Sequence, residues 1–376
     1  MLARIARRNL LHDRRRFLAS VAGVSFSVTL VIVQLGLFAG LAANASQVID
    51  RSPGDAWITG RHTGNFQWGQ PIPRRTLDVV RSTAGVAWAR EVIAGWTQLR
   101  HPDGGLQQLE IVGFDPRSRV GAPWNVVAGR LDDLAVPGRV VLDRSATGKV
   151  GRFELGDDVE VADRRVRVAA VTDGITNFTT APFVFASLDT ARSLIPYLGS
   201  DDTVYVVAGL APAAQAEATL AALRQRLPHL DVSSRDAFSA RTRRYWMLET
   251  GMGIGFLLTS ALAIAVGTVI VSQTIFAATS EHLAEYATLK AMGAANGGLA
   301  RVVLVQGFVA GAVGCLPGCL LGAAVVQAIR ARGLAAMVTP ELVGLTVAAA
   351  LTTCALAALG SVRRLWRLEP ALVFRT

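Results

Sequence analysis

The reading of the fold turns on "EHLAEYATLKAMGA", Glu281–Ala294. It follows Thr250–Ser280 and precedes Val302–Ile329, and neither flank contains an Asp, Glu, Lys or Arg. The segment itself holds Glu281, Glu285 and Lys290, so it is too polar to cross a bilayer and divides one apolar run into two. A membrane span needs roughly 20 apolar residues, and both flanks are long enough. Phe17–Ile49 and Leu342–Val362 are charge-free in the same way. The expectation is a membrane protein with four transmembrane α-helices, one before and three after a large extracytoplasmic α+β domain.

Composition agrees with that reading. Hydrophobic residues make up 51% of the 376-residue chain and charged residues 18%, whereas soluble domains carry about 25% charged residues. The net charge of +10 would suit nucleic acid if it were spread over a soluble surface. Instead the basic residues flank the spans: Arg4, Arg7, Arg8 and Arg14–Arg16, then Lys290 and Arg301, then Arg363, Arg364, Arg367 and Arg375. The positive-inside rule places all three clusters, and both termini, on the cytoplasmic side of the membrane. Membrane lipid is thus a partner and nucleic acid is not. The expected order is a basic segment (1–16), the first span (17–49), an outer domain (50–249) and the second span (250–280). A cytoplasmic loop (281–301), the third span (302–329), a short outer loop (330–341), the fourth span (342–362) and a cytoplasmic tail (363–376) complete it. The first span is too long for a signal-peptide core of about 7–15 residues, and is read as an uncleaved anchor. Residues 1–16 show an apolar face, Leu2, Ile5, Ala6 and Leu10, opposite arginines, which fits a helix lying on the membrane; a basic tail that only sets topology fits equally.

The expected outer domain contains two strand–helix–strand patterns. One runs through "GDAWITG" (54–60), "PRRTLDVVRSTAG" (73–85) and "VAWAREVIAGWTQLR" (86–100). The other runs through "DTVYVVAGL" (202–210), "APAAQAEATLAALRQRL" (211–227) and "HLDVSSR" (229–235). Two such halves, at about 50–106 and 195–240, predict a split, ferredoxin-like unit. The insertion between them, about 107–194, alternates apolar and polar residues between Gly and Asp turns and reads as a β-rich subdomain. Trp57, Phe66, Trp68, Trp88, Trp96 and Trp124 are expected mainly in the core, with Tyr245 and Trp246 as interfacial anchors of the second span.

No catalytic set is recognisable. The spans have no ionisable residue of the kind that marks ion or proton pathways, and Gln34, Asn44, Gln273, Gln306 and Gln327 are expected to make interhelical hydrogen bonds. "RSATGKVG" (144–151) lacks the first glycine and the Ser/Thr of a phosphate loop. The five histidines are scattered, and Cys315, Cys319 and Cys354 lie within spans as packing residues. The chain is therefore read as non-catalytic. Glycines recur at small-xxx-small spacing, which permits close helix approach: Gly36 and Gly40, Gly251 and Gly255, and Gly307, Gly311, Gly314, Gly318 and Gly322. Pro317 is expected to kink the third span.

Within the opening segment Leu283, Tyr286, Leu289 and Met292 form an apolar stripe, acidic residues lie early and Lys290 late, and Gly293 supplies a stop. "SEHLAEYATLKAMGA" resembles the cytoplasmic loop of FtsX/MacB-like ABC transporter permeases, and "LEPALVFR" (368–375) resembles that family's terminal signature. "EYATLKAMG" and the "VFR" ending look most like the DevC-type branch. The resemblance implies a permease that pairs with a second copy or close paralogue and binds a cytoplasmic ABC ATPase dimer, which holds the ATP and magnesium; this chain itself then needs no cofactor. It further implies that Glu285, Tyr286, Leu289, Lys290, Met292 and Gly293 dock on the ATPase, and that Glu369 and Pro370 mark the C-terminal signature. Mechanotransmission to the outer domain, and to a periplasmic adaptor or substrate, would follow. The loop departs from the family in having fewer basic residues in its first half. Export of a hydrophobic or amphipathic substrate or lipoprotein leads; an FtsX-like regulator of a partner such as a cell-wall hydrolase, and a membrane-anchored sensor without an ATPase, are the alternatives.

Overall fold

The computed structural model describes residues 14–101, 104–177, 181–211, 216–281, 287–288, 290, 296–332 and 334–366. In chain order the elements begin with helix α1 (Arg14–Ala45), helix α2 (Gln47–Arg51), strand β1 (Ala56–Gly60), β2 (Ile72–Pro73), α3 (Thr76–Arg81) and β3 (Val86–Arg100). Six strands follow: β4 (Leu106–Phe114), β5 (Val126–Gly129), β6 (Arg139–Asp143), β7 (Asp158–Val161), β8 (Arg164–Thr172) and β9 (Phe183–Ser187). Next come α4 (Leu188–Leu194), β10 (Asp202–Thr203), β11 (Tyr205–Leu210), α5 (Ala216–Arg226), β12 (Leu230–Ser234) and α6 (Arg235–Arg244). A turn of π-helix (Tyr245–Glu249) leads to α7 (Met252–Glu281), α8 (Asn296–Ala331) and α9 (Pro340–Trp366). The chain divides into two compact units, one of residues 1–39, 254–330 and 336–376 and the other of residues 40–253 and 331–335.

The first unit is a helix bundle. Helices α1, α7, α8 and α9 have 32, 30, 36 and 27 residues, and at about 1.5 Å per residue each exceeds a hydrocarbon core of about 30 Å. All four are apolar enough to span a membrane. Their most exposed large side chains, such as Leu258, Leu262, Leu316, Leu320 and Leu345, suit a lipid environment. Inside, Val24, Val28, Ile32, Val271, Ile275, Val303, Cys315 and Cys354 pack together. The first helix stops at Ala45, short of the expected Ile49, because Ser46 interrupts it before α2. The helix of the second span begins at Met252 rather than Thr250: Gly251, at φ 75°, separates it from the π-turn. Helix α8 passes through Pro317 without interruption.

The second unit is the inserted α+β domain. Strands β12, β1, β11 and β3 lie side by side in that order, every pair antiparallel. With α3 between β1 and β3, and α5 between β11 and β12, this is the split ferredoxin-like arrangement. Ile58, Val80, Ala89, Val206, Leu220 and Leu223 close the helix side of the sheet. On the other side Trp57, Phe66, Tyr205 and Phe238 form an aromatic core, with Phe66 and Tyr205 stacked at 5.2 Å. Strand β3 is shared between subdomains. Its first half pairs with β11 up to Val92↔Tyr205, and its second half pairs with β4 from Ile93↔Gly113 to Arg100↔Leu106. Beyond β4 the sheet continues as β9, β6, β8 and β5. Strands β7 and β8 are joined by Ala162 and Asp163, both at positive φ (52° and 56°), as a two-residue type I′ hairpin requires.

Candidate functional site

The glycines of α8 form two seams within the bundle. A Cβ at Gly314 would lie 2.7 Å from Val24 Cβ, one at Gly318 2.8 Å from the Ser25 carbonyl oxygen, and one at Gly322 2.9 Å from Ile32 Cγ2. All three partners belong to α1. Gly307 and Gly311 face α9 instead, 3.1 Å from the Cys354 oxygen and 3.0 Å from Cys354 Sγ. Absent side chains let the backbones approach, and hydroxyls of α1 use that proximity: Ser25 Oγ donates to the Gly314 carbonyl at 2.9 Å and Thr29 Oγ1 to the Gly318 carbonyl at 3.1 Å. Gly36 lies against Met337, whose amide donates to the Gly36 carbonyl at 2.9 Å, and Gly40 is buried. Gly251 and Gly255 abut no neighbouring helix among the described residues of this chain. Gly251 is a left-handed turn residue, and a Cβ at either has no described atom within 4 Å. Sequence spacing missed the α1–α7 seam, where Gly23 abuts Ile270 and Gly267 abuts Ser27; Ser27 Oγ donates to the Ala263 carbonyl at 2.8 Å.

Within the inserted domain a second constellation gathers on Asn44–Ser52, the segment that follows the first span. Gln67, buried at 2% exposure, links three elements. Its Nε2 donates to the Ala45 carbonyl at 3.1 Å, its Oε1 accepts from Trp246 Nε1 at 2.8 Å, and its own carbonyl accepts from Trp96 Nε1 at 2.8 Å. Asn44 Nδ2 and Gln47 Nε2 both donate to the Thr176 carbonyl, at 3.0 and 2.5 Å. Asp50 accepts from Ser46 (2.8 Å), Ser239 (2.5 Å) and Arg243 (3.3 Å), tying α2 to α6. Arg51 lies over the Trp124 ring at 4.6 Å, and Ser52 Oγ accepts from the Gly121 amide at 3.1 Å. The chain leaving the first span and the chain entering the second are therefore joined to each other and to both subdomains. Hydrogen bonding explains why the polar residues are tolerated there.

This corrects two expectations. Asn44 bonds the loop before β9 rather than another span. Trp246, only 6% exposed, is a buried hydrogen-bond donor and not an interfacial anchor. The expected aromatic core holds for Trp57 and Phe66, whereas Trp68 is 54% exposed beside Trp96. Of the expected ATPase contacts, Lys290 is helical and half-buried. Glu285, Tyr286, Leu289, Met292 and Gly293 lie outside the described residues, as do the terminal Glu369 and Pro370 and residues 1–13.

Residues 17–226 match the MacB-like periplasmic core domain, and residues 257–370 match the FtsX-like permease C-terminal domain. The chain belongs to the FtsX/MacB-like ABC transporter permeases. Solved structures similar to parts of this permease include the periplasmic region of MacB from Actinobacillus actinomycetemcomitans, at 14% identity and TM-score 0.38, covering 52% of this chain and 96% of that one. The extracellular domain of the noncanonic ABC-type transporter YknZ from Gram-positive bacteria is similar at 14% identity and TM-score 0.35, with 48% and 98% covered. A domain of a putative permease protein from Porphyromonas gingivalis follows at 17% identity and TM-score 0.32, with 50% and 89% covered. No curated protein matches the permease.

Proposed function

We propose that this permease transmits the ATP cycle of a separate cytoplasmic ABC ATPase, mechanically, to its inserted domain on the far side of a bacterial inner membrane. The observation that carries the reading is the junction at Asn44–Ser52. Both chain segments that connect the inserted domain to spans are clamped by Gln67, Asp50 and Thr176, so displacement of either segment is passed to the domain rather than absorbed by a linker. Two permease copies would bind two ATPase subunits, with ATP and magnesium held by the ATPase and no cofactor in this chain. Docking is assigned to Glu285, Tyr286, Leu289, Lys290, Met292 and Gly293, with both termini cytoplasmic. The work done is export of a hydrophobic or amphipathic substrate or lipoprotein, in the manner of a DevC-type permease working with a periplasmic adaptor.

Co-purification from native membranes tests this. Wild type should capture an ABC ATPase and stimulate its hydrolysis, whereas Leu289→Asp should insert normally and capture none. Equal capture by both removes the docking assignment. Capture of a cell-wall hydrolase in place of an adaptor would select regulation over export, and no ATPase in either sample would favour a membrane-anchored sensor.

A further inference from the structure

Glu110, in the middle of β4, is fully buried. Its Oε2 accepts from Asn177 Nδ2, and its Oε1 has no hydrogen-bond partner among the described residues. Its register neighbours are Trp96 on β3 and Phe183 on β9, which offer an ionised carboxylate nothing. The titratable groups that couple to it are two phenols, Tyr197 after α4 and Tyr205 on β11. Tyr197 accepts from the Trp96 amide and Tyr205 donates to the Phe66 carbonyl, and burial raises the titration of both. Among the described residues no basic side chain offsets the loss of solvent, and burial raises the Glu110 carboxyl to about 8.

The chain after β8 ends this environment on one side. Asp143 holds its start, accepting from Thr172 Oγ1 at 2.8 Å and from the Ile175 amide at 2.9 Å. Thr176 accepts from Asn44 and Gln47, and Asn177 donates to Glu110. One short loop thus bridges the buried carboxyl and the helix end that follows the first span. We infer that Glu110 is a proton-operated latch: its neutral form keeps residues 173–177 closed on Asn44 and Gln47, and its ionised form releases them. The physical reason is that a carboxylate needs water or a cation, and the loop is the wall that yields most easily. The walls formed by β3 and β9 are fixed by ladder hydrogen bonds, while the loop, with Gly174 at φ 84°, is held mainly by side chains. The latch makes the junction responsive to the pH of the compartment around the inserted domain. It does not depend on the ATPase assignment.

The sign follows from linkage. The closed state binds the proton more tightly than the open state, so opening is favoured as pH rises from about 4.5, the ordinary carboxyl value, and levels off above about 8. Hydrogen exchange on the full chain in lipid nanodiscs, corrected for intrinsic exchange, reads this directly. Protection of Asn44–Ser52 and of the Ile175 amide should fall by about tenfold per pH unit between pH 5.5 and 7.5. Glu110→Gln and Glu110→Met should show no such slope. Wild-type protection independent of pH, or the same slope in either variant, overturns the latch. Protection of the β1–β12 pair checks that the variants are folded; if both fail that check, the wild-type slope alone decides.

Discussion

Trp246 Nε1 donates to Gln67 Oε1 at 2.8 Å while Gln67 Nε2 donates to the Ala45 carbonyl at 3.1 Å, so one buried amide joins the chain that follows the first span to the chain that precedes the second. Replacing it with a side chain of similar size but no polar atoms, Gln67→Leu, leaves the Trp246 donor and the Ala45 acceptor without this partner. Each orphaned buried group costs about 1–3 kcal/mol. Thermal unfolding in detergent, followed by tryptophan fluorescence, should therefore show clear destabilisation. Adding Trp246→Phe should cost less than the two single changes summed, because the second change removes the orphaned donor. Full additivity would mean that the amide joins nothing.

The glycine seams predict a contrast along the helices. Gly314→Ala and Gly318→Ala force a Cβ to within 2.8 Å of α1 atoms, and overpacking of this kind costs about 1–3 kcal/mol. Gly255→Ala meets open space and gains up to about 1 kcal/mol of helix propensity. Denaturant titration of the three variants in micelles gives the order. A loss at Gly255 comparable to that at Gly314 would indicate that a second copy packs there.

That contrast also marks what the sequence made legible. Charge-free runs identify spans because a bilayer penalises every ionised side chain, whatever the tertiary structure. The strand–helix–strand halves are legible for a similar local reason, through periodicity. Spacing alone could not separate Gly314, pressed on Val24, from Gly255, where an added Cβ would meet no described atom within 4 Å, because periodicity gives a face and not its neighbour. The junction was hidden further still. Gln67 sits in an irregular loop and bonds residues distant in sequence, and Trp246 beside arginines has the same sequence signature as an interfacial anchor. Glu110 gave no signal at all, since a glutamate in a strand normally faces solvent.

A buried ion cluster predicts unequal costs for two arginines. Glu91, 3% exposed, is bridged by Arg74 at 2.7 Å and Arg192 at 3.3 Å; the Arg74 side chain is 51% exposed and that of Arg192 12%. Removing the buried partner leaves a carboxylate that solvent reaches poorly with only the exposed Arg74 of these two arginines, so Arg192→Met should cost about 1.5–3 kcal/mol. Arg74→Met should cost about 1 kcal/mol or less, because solvent screens that pair. The double variant Glu91→Met, Arg192→Met should recover much of the loss, since no charge is then stranded. Equal costs for the two arginines in urea unfolding would show that Glu91 is hydrated.

Global stability should carry the same proton linkage as the latch, with a crossing between wild type and Glu110→Gln. The native carboxyl titrates at about 8 and the unfolded one near 4.5, so the native state binds more protons throughout that window. Stability is therefore fully present below about pH 4.5 and falls by about 1.4 kcal/mol per pH unit until about pH 8. Glutamine keeps the shape and never ionises, so its unfolding free energy is free of this component. At pH 5.5 the wild type should be at least as stable as the variant, since a neutral carboxyl and an amide are similarly tolerated by the site. At pH 8.5 the variant should be the more stable, with a higher midpoint in urea. Six of the seven tryptophans lie between residues 57 and 246, so fluorescence reports chiefly on the domain that contains Glu110. Parallel pH profiles for the two chains would show that water already reaches the carboxylate in the folded state, and a variant less stable at both pH values would show that the amide packs worse than either form of the acid.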